Sequence, residues 1–468
     1  MKRKLIALLL ALGLLLPCFA LGVQAAGPYT IENPYESVNW STWGAYKAQL
    51  HVHTNASDGE VPLDEVVEEH YRLGYDILAI TDHMTLGMPW NQTPRTVPIM
   101  RLVKASRTGM APMAPLTDAR RQQILTGAGR DSGRPMLEVT QGIELNGAVP
   151  SNSHLQGFFC DFGQGFIGMD LDWETPVKRN AKAGGVTVLN HLGEPAGAEK
   201  SGDPLYYDNN PKWVDKFAYL FANYPTLLGM DVNSGTNDGT KFDAILYDRI
   251  LEKVVPYDRK APWAFTYSDA HSPGQFDRTF TIHMMPALTV DALRTSMEDG
   301  AFFGFARHAR LDKGDGFVGV GDPPAVTNIV TSDAAGTISI TASNFESIVW
   351  VADGEKILTE AVPTRGSYTK TLNLATYDAQ IGGYVRAYLL GPGGILYIQP
   401  FKVLRDGKLP PKPDIPRVFD YSVPLGWVSA VADILFRFTP LYLLKWVMVI
   451  FDPYVDLPWI PWASLIGG

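Results

Sequence analysis

Cysteine is scarce in this sequence. Only Cys18 and Cys160 occur among 468 residues, and Cys18 falls in an N-terminal segment that we expect to be removed. One remaining cysteine excludes an internal disulfide in the mature chain. Cys160 follows Phe158-Phe159 in an apolar run, and free cysteine is among the most buried residue types, so we expect it to lie in the core.

Long hydrophobic runs are also few. Near the start, Lys2-Arg3-Lys4 precedes the apolar run Leu5 to Leu16, and the small residues Val23 to Ala26 follow. This order is typical of a secretory signal peptide, which we place at residues 1–26. Pro17 before Cys18 fits a lipoprotein signal poorly. We therefore expect a secreted or extracytoplasmic protein, and association with a membrane through its other end is an open alternative.

The second long apolar stretch, Phe438 to Phe451, has 14 residues and contains Lys445. A helix that spans a bilayer needs about 20 residues. The stretch belongs to region 407–468, a proline-rich linker followed by a hydrophobic tail with several tryptophans. This composition favours an amphipathic segment that contacts a membrane interface. Packing of the tail against the protein's own domains is the alternative.

Positive charge is the less abundant sign. The chain has 40 lysines and arginines against 49 acidic residues, a formal net charge of −9. Removal of Lys2, Arg3 and Lys4 with the signal peptide would make it −12. This balance argues against a protein that binds long nucleic acid electrostatically. A small phosphate ester remains an acceptable ligand, because bound metal cations dominate the charge of their own site.

Strand-like and helix-like segments alternate from about Tyr46 to Arg307. Ala48 to His53 has the period of a strand, and Pro62 to Leu73 that of a helix. The alternation predicts an α/β domain over residues 27–322, a parallel barrel or a distorted relative of one. Residues 84–137 form an insertion too long for a βα loop. A lid over the site and a solvated helical excursion are the alternatives for it.

Residues 323–406 have a different pattern. Short strand-like segments such as Thr337 to Thr341 and Ile348 to Ala352 are separated by turns such as Asp353-Gly354. This spacing predicts a small all-β sandwich. The region carries no constellation of catalytic residues.

The chemistry is concentrated in the histidines. Six of the nine follow short apolar runs, namely His51, His53, His83, His154, His191 and His271. Carboxylates accompany them: Asp58, Asp82, Glu144 and Asp269. Side chains that follow parallel strands meet at one end of a barrel. Imidazole together with carboxylate suits Zn²⁺, Mn²⁺ or Fe²⁺, so the pattern predicts a polynuclear metal site.

As an ordered set, these motifs resemble those of the polymerase and histidinol phosphatase (PHP) family of metal-dependent phosphoesterases. The motifs are Gln49-Leu-His-Val-His-Thr54, Ser57-Asp-Gly59, Ile80-Thr-Asp-His83, Gly142-Ile-Glu-Leu145, Ser153-His-Leu155, Asn190-His191 and Ser268-Asp-Ala-His271. The resemblance implies a distorted (β/α)7 barrel with up to three metals at the carboxyl ends of its strands. Where the family usually has Ala-His-Pro, this chain has Asn190-His191-Leu192.

The resemblance also implies a division of the ligands. His51, His53 and Asp269 would hold a first metal, and Glu144 would bridge it to a second. His154 and His191 would complete the second, and Asp58, His83 and His271 would hold a third.

Two further residues are candidates for catalysis. Asp82 could orient a ligand imidazole or relay a proton, or it could only fix the neighbouring backbone. Arg278, in the loop after His271, could bind a substrate phosphate, although solvation is the simpler reading. We interpret His70, His283 and His308 as structural or surface residues.

The sequence therefore predicts an exported hydrolase with two or three divalent metals (Mn, Fe or Zn). It would cleave a small-molecule phosphate ester, most simply a phosphomonoester, by attack of metal-bound hydroxide. One alternative is hydrolysis of a carbamate or amide at the same site, which an apolar pocket near Trp90 would favour. The other is a non-catalytic cell-surface binding protein with structural metals.

Overall fold

The computed structural model describes residues 29–96, 112–146, 153–165, 173–235, 238–257, 261–363 and 366–418. The predicted signal peptide, the hydrophobic tail from residue 419 and part of the 84–137 insertion lie outside the described residues. Among the described helices, none is both long enough and apolar enough to cross a bilayer.

The helices cover the segments that the periodicity indicated. They are Leu63–Arg72, Asp118–Thr126, Glu174–Lys182, Gly193–Ala196, Ala198–Ser201, Tyr206–Asn209, Pro211–Asn223, Asp243–Val254, Val290–Asp299 and Arg310–Lys313, with 3-10 turns at Asp238–Thr240, Pro273–Gln275 and Leu374–Gln380. In Leu63–Arg72 the buried side chains lie on one face and acidic residues occupy the first turn, the arrangement of an amphipathic surface helix.

The strands are β1 (Tyr29–Glu32), β2 (Gly44–Gln49), β3 (Ile77–Ala79), β4 (Leu137–Val139), β5 (Ile143–Asn146), β6 (His154–Phe158), β7 (Val186–Leu189), β8 (Leu227–Asp231), β9 (Trp263–Phe265), β10 (Thr279–Met285), β11 (Phe302–Ala306), β12 (Ala325–Ser332), β13 (Thr337–Ser343), β14 (Ser347–Ala352), β15 (Glu355–Ala361), β16 (Tyr368–Asn373), β17 (Tyr384–Gly391) and β18 (Gly394–Arg405). They make up a mixed α/β protein.

The strands form three sheets. The largest has the order β15-β14-β17-β18-β11-β10-β2-β3-β4, with β1 paired to β18, and the others are β5-β6-β7-β8-β9 and β12-β13-β16. The pairs β2-β3, β3-β4, β7-β8 and β8-β9 are parallel. β6, β10 and β11 pair with antiparallel neighbours, so the first of the two predicted forms, a parallel barrel, is not observed among the described strands. Apolar runs predict burial on both faces and carry no information about strand direction.

Two isolated parallel bridges join the first two sheets. Val52, beyond the end of β2, pairs with Ala270, beyond the end of β9. His83, beyond the end of β3, pairs with Glu144 in β5. Val52, Ala270 and His83 lie beyond the carboxyl ends of β2, β9 and β3, and the two bridges bring the histidine motifs of the two sheets together.

The part of the largest sheet that contains β14, β17 and β18 packs against a hydrophobic core on each of its faces. Along β14, Val349 and Val351 pack into the core around β5–β9, whereas Ile348 and Trp350 pack into the core that includes β12 and β13. Such alternation is expected of a strand buried on both faces. The predicted boundary between residues 322 and 323 is therefore crossed by one continuous sheet.

A buried ion pair and a buried amide also cross this boundary. Arg386 in β17 donates from Nε and Nη2 to the Asp248 carboxylate over 2.6 and 2.5 Å. The Gln399 side chain in β18 accepts a bond from Ala264 N and donates one to Ala264 O, over 2.8 and 3.0 Å. β18 is thus attached to β9 as well as to β11. Cys160 is buried, as predicted.

Candidate metal centre

The first motif places two imidazoles beyond the end of β2. His51 and His53 are both fully buried, and the backbone N–H of His53 donates to Ala270 O over 3.0 Å. The loop then turns back, and Gly59 N donates to Thr54 O over 2.9 Å. A Cβ on Gly59 would lie 2.5 Å from His53 O. Glycine in the Ser57-Asp58-Gly59 motif is therefore required by this close approach of backbone.

All nine predicted ligands lie in one cluster. Glu144 is at its centre: Oε1 lies 3.3 Å from His51 Nε2 and 3.4 Å from His154 Nδ1, while Oε2 lies 3.3 Å from His53 Nε2 and 3.0 Å from His83 Nδ1. A carboxylate with imidazole nitrogens around both of its oxygens has the geometry of a bridging ligand.

The other two carboxylates lie on either side of Glu144. Asp269 Oδ1 is 3.0 Å from Nε2 of both His51 and His53. Asp58 Oδ2 is 3.5 Å from His83 Nε2 and 3.3 Å from His271 Nε2.

The potential ligand atoms form three overlapping groups, each with its atoms within 4.8 Å of one another. The groups are His51, His53, Glu144 and Asp269; His83, Glu144 and His154; and His53, Asp58, His83 and His271. The first group has the predicted members, the second contains His83 where the prediction has His191, and the third contains His53 in addition to its predicted members. His191 belongs to none of the three, but its Nε2 lies 3.3 Å from both Glu144 Oε1 and His154 Nδ1.

The chemistry of the donor set fits divalent cations. Imidazole nitrogens and carboxylate oxygens face one another, and Glu144 Oε2 and His83 Nδ1 are buried without a hydrogen-bond partner. Ligands at 2.0–2.2 Å from a tetrahedral ion are separated by roughly 3.4 Å, close to the separations observed around Glu144. Buried lone pairs that converge in this way require cations between them.

Without metal, protons would compensate part of this charge. Burial alone would raise the pKa of Glu144, but the imidazoles of His83, His51 and His154 hold it well below its usual range. Burial would lower the pKa of His191, but the hydrogen bond to Glu144 and nearby carboxylates raise it to about 10. Burial lowers the pKa of His154 to about 4. Metal ions must displace the bound protons, so metal affinity should rise with pH.

Backbone strain coincides with the cluster. His191 has a φ of 30° and Asp269 a φ of 49°, in the left-handed region that non-glycine residues seldom adopt. Each such residue costs on the order of 1 kcal/mol or more and is typical of functional sites. The strain directs both side chains towards Glu144 and His51.

Asp82 lies under the first loop. Its Oδ1 accepts bonds from Thr54 N over 2.8 Å and from Ser57 Oγ over 2.6 Å, and its Oδ2 accepts one from Thr54 Oγ1 over 2.7 Å. Ser57 Oγ in turn lies 3.3 Å from His53 Nδ1. The carboxylate therefore fixes the backbone of the loop and reaches a candidate ligand through one hydroxyl.

Arg278 lies beside the loop after β8. Its Nη1 donates to Gly235 O over 3.3 Å, and Gly235 N donates to Tyr267 O over 3.1 Å. Tyr267 precedes Asp269 by two residues, so the guanidinium is at the same end of the sheet as the cluster. The side chain is partly exposed.

The three remaining histidines have structural surroundings. His70 donates from Nδ1 to Val66 O over 2.7 Å, and burial lowers its pKa to about 4. His283 lies 3.0 Å from Ser296 Oγ and 2.9 Å from Thr281 Oγ1, and burial lowers its pKa to about 3. The carbonyl of His308 accepts a bond from Asn233.

Sequence reasoning missed two neighbours of the cluster. Asn190 Nδ2 donates to Glu144 Oε1 over 2.9 Å, and Glu194 Oε2 lies 3.5 Å from His191 Nδ1. The departure from Ala-His-Pro at Asn190 was the available signal for the first. Glu194, three residues after His191 on a short helix, has the spacing of a helical neighbour.

Comparison with known proteins supports the same family. Residues 49–154 match the family model described as PHP domain. No curated protein matches the chain.

Two solved structures are similar. One is a two-domain protein from Bacteroides vulgatus ATCC 8482 containing a predicted PHP-like metal-dependent phosphoesterase, at 16% identity and a TM-score of 0.38; the match covers 81% of this chain and 100% of that one. The other is an amidohydrolase from Chromobacterium violaceum with bound sulfate and no metal, at 16% identity and a TM-score of 0.25, covering 48% of this chain and 88% of that one.

The matched region contains His51, His53, Asp58, His83, Glu144 and His154. The match to the PHP domain therefore covers six of the nine predicted ligands, and it is to this family that the ordered histidine and carboxylate motifs were expected to belong.

Proposed function

We propose that this protein is a metal-dependent hydrolase of the PHP type that cleaves a phosphate ester, in the simplest case a phosphomonoester. The observation that carries the proposal is the clustering of nine residues with Glu144 at their centre. Eight of them form three groups able to hold cations, and the ninth, His191, lies 3.3 Å from Glu144 Oε1. The two sheets that meet there would correspond to the distorted (β/α)7 barrel of the family.

The residues would divide the work as follows. His51, His53 and Asp269, together with Glu144, would hold one ion. His154 and His191 would hold a second. Asp58, His83 and His271 would hold a third. Bound divalent cations lower the pKa of a water and neutralise charge on phosphate oxygens. The fully buried His51 and His53 are preorganised, whereas Asp58 and His271 are partly exposed. The third group therefore faces the solvent side, from which a substrate would enter.

Arg278 would bind the substrate phosphate. Its guanidinium is held by Gly235 O at the carboxyl end of β8, and a second edge of the fork is suited to phosphate oxygens. Asp82 would act through the loop and not on the substrate, because its carboxylate oxygens accept bonds from Thr54 and Ser57.

The carbonyl-substrate alternative has less support. Trp90, which was to line an apolar pocket, is fully buried in the core that includes Leu116 and Met136. In the described part of the insertion, Trp90 therefore presents no accessible aromatic surface to a substrate.

The test is a screen of phosphomonoesters, phosphodiesters, carbamates and amides with protein loaded with Mn²⁺, Fe²⁺ or Zn²⁺. We expect the wild-type protein to hydrolyse a generic aryl phosphate. In Glu144→Gln we expect turnover to fall by orders of magnitude and bound metal to be lost. Glu346→Gln, which alters an exposed ion pair with Lys313, is the matched control. Carbamate turnover alone would replace the ester proposal, and metal binding without turnover of any class would favour the non-catalytic alternative.

We further propose that the protein is exported and contacts a membrane interface through residues 419–468. The support is the charge and apolar pattern of residues 1–26 and the aromatic and basic composition of the tail. Mass spectrometry of the mature N-terminus tests the first part: an intact Met1 would contradict it.

A further inference from the structure

Ser57 lies between a carboxylate and a candidate metal ligand. Its Oγ is 2.6 Å from Asp82 Oδ1 and 3.3 Å from His53 Nδ1. Asp58 Oδ1, the third neighbour of the hydroxyl, is 3.2 Å away. Ser57 and His53 are fully buried and Asp82 is nearly so. The three side chains thus form a row inside the protein.

The hydroxyl can donate only one hydrogen. Both carboxylate oxygens beside it are acceptors, and the shorter distance assigns the hydrogen to Asp82 Oδ1. The Ser57 oxygen then offers its lone pairs to His53 Nδ1, which must carry a hydrogen to bond it. The second polar neighbour of Nδ1 is Asp58 Oδ1 at 3.4 Å, which is also an acceptor. Both of these neighbours of Nδ1, Ser57 Oγ and Asp58 Oδ1, therefore favour the protonated nitrogen.

The opposite nitrogen of His53 faces the cluster. Its Nε2 lies 3.0 Å from Asp269 Oδ1, 3.1 Å from His51 Nε2 and 3.3 Å from Glu144 Oε2. With hydrogen on Nδ1, the free lone pair of the neutral ring is at Nε2 and points among these atoms.

We propose that Ser57, oriented by Asp82, is a positioning residue that assigns His53 to a single cation. Nε2 of His53 serves the group of His51, Glu144 and Asp269, and Nδ1 is withheld from the group of Asp58, His83 and His271. This inference rests on the proposed metal site and deepens it. The hydrogen bond explains why the His53 imidazole, which is within reach of two groups of ligands, does not bridge two cations. Histidines that bind metals are commonly oriented in this way by a hydrogen-bond partner outside the ligand set.

The experiment is nitrogen-15 NMR of histidine-labelled, Zn²⁺-loaded protein. The chain has nine histidines, and His53→Gln identifies the resonances of His53. We expect a zinc-bound Nε2 and a protonated Nδ1 whose hydrogen exchanges slowly with water. Zinc bound through Nδ1 of His53 would overturn the proposal.

Variants test the role of the hydroxyl. Ser57→Ala should speed exchange of the Nδ1 hydrogen and weaken zinc binding about 10- to 100-fold, the usual effect of removing an outer partner. Ser57→Thr, which keeps the hydroxyl, should restore both, and Asp82→Asn should change both in the direction of Ser57→Ala. Ser41→Ala, at an exposed serine bonded to Asn39, is the matched control. Unchanged exchange and affinity in Ser57→Ala would refute the assignment.

The outcome is separable from that of the proposed function. Zinc bound as described in a protein without hydrolytic activity would sustain the inference and refute the function. Should the protein take up none of Mn²⁺, Fe²⁺ and Zn²⁺, the proposed function fails. The spectrum of the metal-free protein at alkaline pH then still decides the tautomer, and a hydrogen on Nε2 would refute the inference too.

Discussion

Asn190 donates a hydrogen bond from its side-chain amide to Glu144 Oε1 over 2.9 Å, and both residues are fully buried. The same oxygen faces His51, His154 and His191. The amide therefore helps to orient the central carboxylate.

Asn190→Ala should weaken binding of the metals that Glu144 shares. A hydrogen bond to a charged group contributes about 1.5–3 kcal/mol, so we expect metal affinity to fall roughly 10- to 100-fold. Competition with a chelator, with metal counted by mass spectrometry, measures it. Asn209→Ala, an exposed asparagine bonded to Asp203, is the control. Equal affinity in Asn190→Ala and wild type would show that the bond does not orient Glu144.

Arg278→Ala should raise KM for a phosphomonoester about 10- to 100-fold and affect kcat less, because a charged bond to the substrate would be lost. Arg278→Lys should be intermediate, since an ammonium lacks the planar fork. Arg294→Ala, which removes an exposed pair with Glu298, controls for surface charge. If KM for the ester stays the same, Arg278 has no contact with substrate.

Arg386→Met should lower the free energy of unfolding by about 3–5 kcal/mol, because the buried Asp248 carboxylate loses its partner. Urea denaturation of the metal-free protein is the measurement. The double variant Asp248→Leu with Arg386→Met should recover much of the loss. Lys313→Met, at the exposed pair with Glu346, should change the same quantity by less than about 1 kcal/mol. A small effect of Arg386→Met would mean that the two cores are not coupled through this pair.

His283→Gln should make stability less sensitive to acid. Burial lowers the pKa of His283 from 6.5 to about 3 in the folded protein. At a pH between these two pKa values, His283 is protonated in the unfolded chain but neutral in the folded protein. Wild type therefore loses stability as pH falls below 6.5, by up to about 1.4 kcal/mol per pH unit from this residue. The difference in unfolding free energy between wild type and variant should shrink from pH 7 to pH 4. A difference independent of pH would contradict a neutral, buried His283.

Deletion of residues 419–468 should move the protein from the membrane fraction to the soluble fraction. The preceding segment should stay attached, because Lys412 Nζ donates to Ala222 O over 2.6 Å and Arg417 forms an ion pair with Glu174. Fractionation of expressing cells, with hydrolytic activity as the folding control, is the measurement. Unchanged partitioning would refute the anchoring proposal.

The positions of the site residues were predictable because they follow from local rules. A helix over Pro62 to Leu73 was expected, and a helix over Leu63–Arg72 is observed, since Pro62 stands at its start and Gly74 follows its end with a positive φ. The histidines follow apolar strands, and carboxyl ends of parallel strands meet. All nine predicted ligands accordingly lie in one cluster.

The remaining features depend on long-range pairing. Nothing in the apolar run of β10 shows that it pairs antiparallel with both β2 and β11. The apolar residues of β14 indicate that both faces of this strand are buried. They do not show that one face, with Val349 and Val351, packs into the core around β5–β9. A serine or asparagine next to a ligand carries no pattern of its own, so the roles of Ser57 and Asn190 required coordinates.

β1 pairs with β18 in the register Tyr29 to Arg405, and β18 also pairs with β11 and bonds to β9. β18, which completes the sheet beside the metal cluster, is therefore the last of the described strands to be synthesised. A chain emerging from a ribosome or a translocation pore cannot finish this sheet until nearly all described residues have appeared. Assembly of the metal cluster in its final form should thus follow the synthesis of β18 and be a late event in folding.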